Sequence, residues 1–279
     1  MIRKFGLKLS KTIPNSCELG EGLWVKDYKA AWVDINKDEL LVFQEGVCKS
    51  YFATNKPSII FNFDQNVLSL GADKGLIRFN LQTKQEDLIF DASNKHNIAT
   101  YRSNDGGFCG DHQLLSFMHS NDPVKNFGFV YLVKDGSFCL LDGSLHVPNS
   151  FIEIEHSKIL ISDSLKGQIW LYQLDDTGDL AEKTLWAQLD KGIAPDGGCL
   201  VDDFVFVALW DDASIAVFDK SGKLLKKLSL PIIRPTNCKY DAVRSQLWVT
   251  SAREGLSKEQ LSHYPLSGNT FVYDLELGS

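Results

Sequence analysis

Six polar residues stand at one recurring place in this chain: Glu21, Ser58, Asn104, Asn149, Asp196 and Asn237. Each precedes, by nine or ten residues, a short apolar run: AAWVD from Ala30, VLSLG from Val67, LLSFM from Leu114, ILISD from Ile159, VFVAL from Val205 and LWVTS from Leu247. If the six places converge in space, Glu21, Asn104, Asn149 and Asp196 bring two carboxylates and two carboxamides to one point. An all-oxygen set of that kind suits a hard cation such as calcium or magnesium, and manganese or zinc can accept it. No histidine occupies any of the six places and no CxxC pair occurs, which argues against a structural zinc. Taken singly, each Asn or Asp ahead of a strand is ordinary turn chemistry. It is their common register that points to a site.

The runs recur at intervals of 37, 47, 45, 46 and 42 residues. Periods of this length built from short strands are those of radial β-propeller units. A further strand follows each run: LLVFQEG (40–46), LIRFNLQ (76–82), GFVYLVKDG (128–136), QIWLYQLDDTG (168–178), SIAVFDKSG (214–222) and NTFVYDLELG (269–278). Aromatic and β-branched residues dominate them, and Asp-Gly or Ser-Gly type turns end several. EKTLWAQL (182–189) and KLLKKLSL (223–230) fit outer strands. The expected fold is all-β, a single six-bladed propeller over residues 1–279. The apolar runs are taken as the innermost strands, and the polar residues as members of the loops that lead into them at one mouth of the channel. KFGLKLS (4–10) alternates and is expected to join the last blade, closing the ring and hiding a sheet edge. Ser257 is expected to cap one short helical turn at 258–261.

With 279 residues, 44% of them hydrophobic, the chain can bury a large core. The net charge of -7 and the absence of a basic block leave nucleic acid and anionic membrane as unexpected partners. No run reaches the roughly 18 apolar residues of a membrane span, and MIRKFGLKLSKTIPNS has no signal-type apolar core. The six scattered cysteines then read as free thiols in a cytoplasmic protein. Nothing in the sequence sets the oligomeric state.

Several motifs, in order over about residues 19–276, resemble those of the SMP-30/gluconolactonase/luciferin-regenerating family. LGEGLW (19–24) with WVDI (32–35) resembles its opening, and YRSNDGG (101–107) its RxND segment. VPNSF (147–151) with ISDS (161–164) resembles its PNG…ADS segment, and APDGGCLVDD (194–203) with FVALWDD (206–212) its PDG…WVAxW segment. RPTNC (234–238) and VTSAREGLS (249–257) match later motifs. The resemblance implies a six-bladed propeller with one divalent metal at the channel mouth, held by Glu21, Asn149 and Asp196. It also implies hydrolysis of a small sugar lactone, with Asp196 as general base and Arg102 and Asn104 on the substrate.

Such chemistry is coherent: a bound cation polarises the lactone carbonyl and stabilises the oxyanion, and a neighbouring carboxylate takes a proton from water. No GxSxG nucleophile elbow occurs. Three departures stand out. Ser150 replaces the family's glycine after Asn149, Leu23 stands where proline is common, and Asn121 falls at about the position of an acidic substrate contact. The donor set leaves calcium, zinc, magnesium, manganese and ferrous iron open. Hydrolysis of other esters or organophosphates, and a non-catalytic calcium-binding propeller, are the alternatives. Asp34 and Asp163 are read as structural hydrogen-bonders. Trp24 and Trp210 are read as packing residues that could line the pocket, and His119 as facing either core or channel.

Overall fold

A computed structural model describes residues 4–278. Its strands form six four-stranded antiparallel sheets, the blades of a six-bladed propeller. Blade 1 runs Gly20–Lys26, Lys29–Asp34, Glu39–Gln44, Val47–Phe52, and blade 2 runs Pro57–Asp64, Val67–Ala72, Gly75–Asn80, Glu86–Asp91. Blade 3 is Tyr101–Cys109, His112–His119, Phe129–Lys134, Ser137–Asp142, and blade 4 is Pro148–Glu155, Lys158–Asp163, Gln168–Leu174, Leu180–Gln188. Blade 5 is Ala194–Val201, Phe204–Trp210, Ser214–Asp219, Leu224–Ser229. Blade 6 takes Pro235–Asp241, Gln246–Ser251 and Thr270–Gly278, and is completed by Lys4–Ile13, which pairs antiparallel with Thr270–Gly278 from Lys4↔Gly278 to Ile13↔Thr270. The expected closure by the first segment is therefore found, and so is the short helix, Lys258–His263, with Ser257 as its cap in a reciprocal capping box with Gln260.

One expectation is corrected. The strands that touch one another around the axis are the first of each blade, and the six apolar runs are the second strands. The reason lies in what each strand packs against. A second strand is covered on both faces by neighbouring blades, so its side chains are nearly all buried: Phe204–Trp210 is buried at every residue but the last, and Lys29–Asp34 at every residue but the first. A first strand crowds the axis, where small residues and polar groups fit. A fourth strand has solvent on its outer side, as in Val47–Phe52. The core is thus a set of seams between blades, filled by fully buried side chains such as Trp32, Phe79, Phe117, Phe206 and Phe271. The Asp135-Gly136 and Glu45-Gly46 turns have positive φ at both residues, as tight hairpins between twisted strands require.

All six inner strands lose register at the same level. The shifts fall at Glu21/Trp24, Pro57/Ile59, Ser103/Gly106, Asn149/Ile152, Pro195/Gly198 and Pro235/Asn237. A bulge frees a residue from the ladder and re-aims its side chain. The six polar residues of the repeat sit at or beside these bulges. All six cysteines are free, and among the described residues no helix is long and apolar enough to cross a membrane.

Candidate functional site

The polar residues converge because they share one level of six inner strands, and not because they share a loop. Glu21, Asn104, Asn149 and Asp196 line a cavity of about 570 Å³ at one mouth of the channel, with Arg102, Met118, Trp210 and Glu254 among its walls. That volume suits a small-molecule ligand. Trp210 is a wall residue, whereas Trp24 packs edge-on against Phe63 at 5.6 Å between ring centroids. His119 ends its strand with its ring on Tyr101, and its Nδ1 accepts the backbone N–H groups of Asn121 and Asp122. Asn121 itself is exposed and is not among the residues lining the cavity. Ser58 and Asn237 are buried just out of it.

Backbone geometry sets the aim of each side chain. Gly22, after Glu21, has φ of 62°, and a Cβ there would stand 2.4 Å from the Ser58 carbonyl oxygen, so only glycine fits. The matching residue after Asn149 is Ser150, at φ 56°. The turn that glycine would make is therefore kept, at a cost of about 1 kcal/mol for a left-handed residue with a Cβ. The Ser150 hydroxyl offsets this by donating to the Asp196 carbonyl oxygen of blade 5 and by accepting from Ser162 at 3.1 Å. Ser150→Ala loses these bonds and keeps the strain, while Ser150→Gly loses the bonds and removes it. In urea unfolding the alanine variant should be less stable than the glycine variant by about 1 kcal/mol. Equal stabilities would mean that the backbone there carries no strain.

Side-chain oxygens at the bulges are held alike. Glu21 Oε2 accepts from Gly22 N–H at 3.1 Å, Asn149 Oδ1 from Ser150 at 3.3 Å and Asp196 Oδ1 from Gly197 at 3.0 Å. Asn149 Nδ2 also donates to Asp196 Oδ1 at 2.5 Å. Asn104 Nδ2 donates to the Pro148 carbonyl at 2.9 Å, and Arg102 Nη1 donates to Asn104 Oδ1 at 2.9 Å. Arg102 thus fixes Asn104, and Asn104 fixes the start of the Asn149 strand. The mouth is buttressed from below: Asp34 accepts the N–H groups of Glu18 and Leu19 at 2.8 and 3.0 Å, and Asp163 those of His146 and Val147 at 2.9 and 3.3 Å. The structural role read for both aspartates holds.

The repeat missed one residue. Asp105, next to Asn104, is buried, and its carboxylate accepts from Gly106 at 2.8 Å and from the backbone of Phe151 and Ser150 across the blade seam. Its signal was its place in the RxND motif beside Asn104, since the repeat selects a single residue per blade. Asp105 makes the site a cluster of three buried carboxyls. Burial, reinforced by repulsion from Asp105, pushes Glu21 up to about 8. Burial and then the charges of Glu21 and Asp105 raise Asp196 well above the ordinary aspartate range. The Glu21 and Asp196 carboxyls are close enough to act on one another, and a proton held between them would relieve their repulsion. Burial lowers Arg102, against the opposing pull of Glu254, Asp73, Glu21 and Asp196, in that order.

Among the described residues none of the three carboxyls is ion-paired with a lysine, arginine or histidine. Nor do any three His, Cys, Asp or Glu side chains form a ready-made metal cage. The candidate donors are instead two carboxylates and an amide, Glu21, Asp196 and Asn149. Arg102 and Lys239 act on these groups only from beyond ion-pair distance, and carboxyls gathered out of water in this way fit a hard cation, whose oxygen ligands these are.

Comparison with known proteins places these features in a wider set. The family model described as the SMP-30/Gluconolactonase/LRE-like region matches residues 19–253. Regucalcin from Gallus gallus is 28% identical over 123 residues, 42% of this chain and 41% of that protein, so the match spans less than half the length of this relative. The crystal structure of a calcium-binding protein, regucalcin, from Agrobacterium tumefaciens superposes with a TM-score of 0.88 at 20% identity, over 98% of this chain and 96% of that one. A gluconolactonase from Xanthomonas campestris superposes with a TM-score of 0.72 at 17% identity, over 97% and 95%. At these identities the structural likeness bears on the fold.

Proposed function

Since this chain belongs to the SMP-30/gluconolactonase/LRE-like family, we propose that it is a metal-dependent lactonase that opens a small sugar lactone to the sugar acid. The observation that carries the reading is the convergence of Glu21, Asn149 and Asp196, from blades 1, 4 and 5, on a ligand-sized cavity whose wall holds Arg102 and Asn104. A divalent ion held by Glu21, Asn149 and Asp196 would supply carbonyl polarisation and charge for the developing oxyanion. Calcium, magnesium, manganese, zinc and ferrous iron all suit the donors.

The chain's own groups do the rest. Asp196 takes a proton from the water that attacks the carbonyl carbon, and returns it to the ring oxygen as the ester C–O bond breaks. Arg102 and Asn104, locked to each other, present fixed donors to the sugar hydroxyls. Trp210 offers an apolar wall. Asn121, exposed beyond the cavity, would meet only a substrate long enough to pass the mouth.

The reading is tested by acid release from a panel of five- and six-carbon aldonolactones, using chelated protein with each divalent ion added back. Ion-restored turnover supports it. Tight binding of one ion without turnover of any lactone moves the assignment to other ester or organophosphate substrates, or to a calcium-binding role.

The carboxyl cluster also makes stability depend on pH. Glu21 is raised from its ordinary 4.5 to about 8. Its contribution to the stability of chelated protein is therefore fully present below 4.5 and is lost as pH rises through about 8. The melting temperature of chelated protein should drop by roughly 5 °C or more over that window, and a saturating divalent ion should remove most of the drop. A flat profile without the ion would show that Glu21 titrates normally.

A further inference from the structure

Two members of the polar ring lie outside the cavity, Ser58 on blade 2 and Asn237 on blade 6, each 1% exposed. Among the described residues neither Asn237 Nδ2 nor Asn237 Oδ1 has a hydrogen-bond partner, and the Ser58 hydroxyl has none either. An unpartnered buried amide is costly, whereas an apolar side chain of the same size would carry no such penalty. Asn237 is also sharply placed. Its inner strand lies between those of Asp196 and Glu21 and touches both. Its amide rests on Gly197, the residue after Asp196, so closely that a Cβ on Gly197 would stand 2.3 Å from the amide carbon and nitrogen. The absence of a side chain at Gly197 is what lets the amide reach this position. Ser58 has a shorter reach, and its inner strand lies between those of Glu21 and Asn104.

We propose that Asn237 is a fourth side chain of the ion site, turning its amide oxygen toward the cation that Glu21, Asn149 and Asp196 hold. This deepens the functional reading above and rests on its ion. The chemistry is direct: a hard cation takes six or more oxygens when it is calcium, more than three side chains supply. A neutral amide adds a donor between two carboxylates without adding to their repulsion. The unpartnered amide is then the resting form of a group whose partner is the ion.

The test is calorimetric titration of chelated protein with calcium and with manganese, alongside melting curves in chelator, for wild type, Asn237→Leu and Asn237→Asp. Wild type should bind one ion. Asn237→Leu should melt in chelator at or above the wild-type temperature, because an unsatisfied amide is gone, yet bind the ion at least tenfold more weakly. Asn237→Asp, which keeps an oxygen at the same place, should bind at least as tightly as wild type. Wild-type affinity in Asn237→Leu would overturn the proposal while leaving the three-ligand site intact. Loss of binding in Asn237→Asp equal to that in Asn237→Leu would overturn it too, since the amide hydrogens would then be what matters. If wild type binds no ion, the proposal falls together with the metal-dependent reading.

Discussion

Asp196→Asn should lower kcat on any lactone the wild type turns over by about 1000-fold or more, with a much smaller change in KM. The substitution keeps the size of the side chain and its contacts with Gly197 N–H and Asn149. What goes is the negative charge and the ability to take a proton. Two losses therefore combine, of a base and of half the charge that faces the cation, and they can be separated. Ion affinity measured by titration reports the charge, and kcat at saturating ion reports the base. The fold should hold or gain, because a carboxyl pushed toward its protonated form by burial and then by its neighbours is replaced by a neutral amide. A variant that retained a tenth of wild-type turnover at saturating ion would remove Asp196 from the role of base.

Deleting the segment through Ile13 should have the largest effect on stability. Lys4–Ile13 is the outer strand of blade 6, although the rest of that blade comes from the far end of the chain. Phe5 is buried at the seam between blades 5 and 6, edge-on to Phe204 and Phe206 with centroids 4.9 and 6.3 Å away, and Lys226 Nζ donates to its carbonyl at 2.8 Å. Without the strand, Thr270–Gly278 becomes a bare edge and the seam opens. The loss should exceed about 5 kcal/mol, comparable with the whole stability of a typical domain, so the truncated chain should aggregate or melt without cooperativity at 37 °C. Phe5→Ala is the milder version and should cost about 3 kcal/mol in urea unfolding. A truncated chain that melts sharply within a few degrees of the full one would show that the ring is closed by blade packing alone.

The sequence carried the architecture unevenly, for reasons visible in the strands. The second strands announce themselves because both faces are buried, which writes runs such as ILISD and VFVAL into the chain. Those runs gave the blade number and spacing, and were mistaken for the channel lining. The true inner strands, such as Pro148–Glu155 and Ala194–Val201, are broken by bulges and by glycine or serine at the axis, so they alternate poorly. The first strand was found because KFGLKLS alternates, as a half-exposed outer strand must. Of the cavity lining, Glu21, Asn104, Asn149 and Asp196 were legible from register, and Arg102 from its motif. Asp105 stands in the same motif but was not singled out, because a carboxylate beside an asparagine has no periodic signature. Burial alone makes it matter, through the shift it helps to impose on Glu21.

The sixfold bulge separates what the mouth does from what keeps the ring folded. A bulged residue stands outside the ladder, so exchanging its side chain takes no strand pair with it. Stability is stored elsewhere, in the apolar seams and in the buttresses from Asp34 and Asp163. Each blade therefore offers one interchangeable socket on a common rim. Mutational drift, or a designer, can reassign the sockets one at a time, from acid to amide to hydroxyl, and alter the ligand without renegotiating the scaffold. Ser58, a small hydroxyl in a ring of longer groups, is the socket whose present occupant is the shortest.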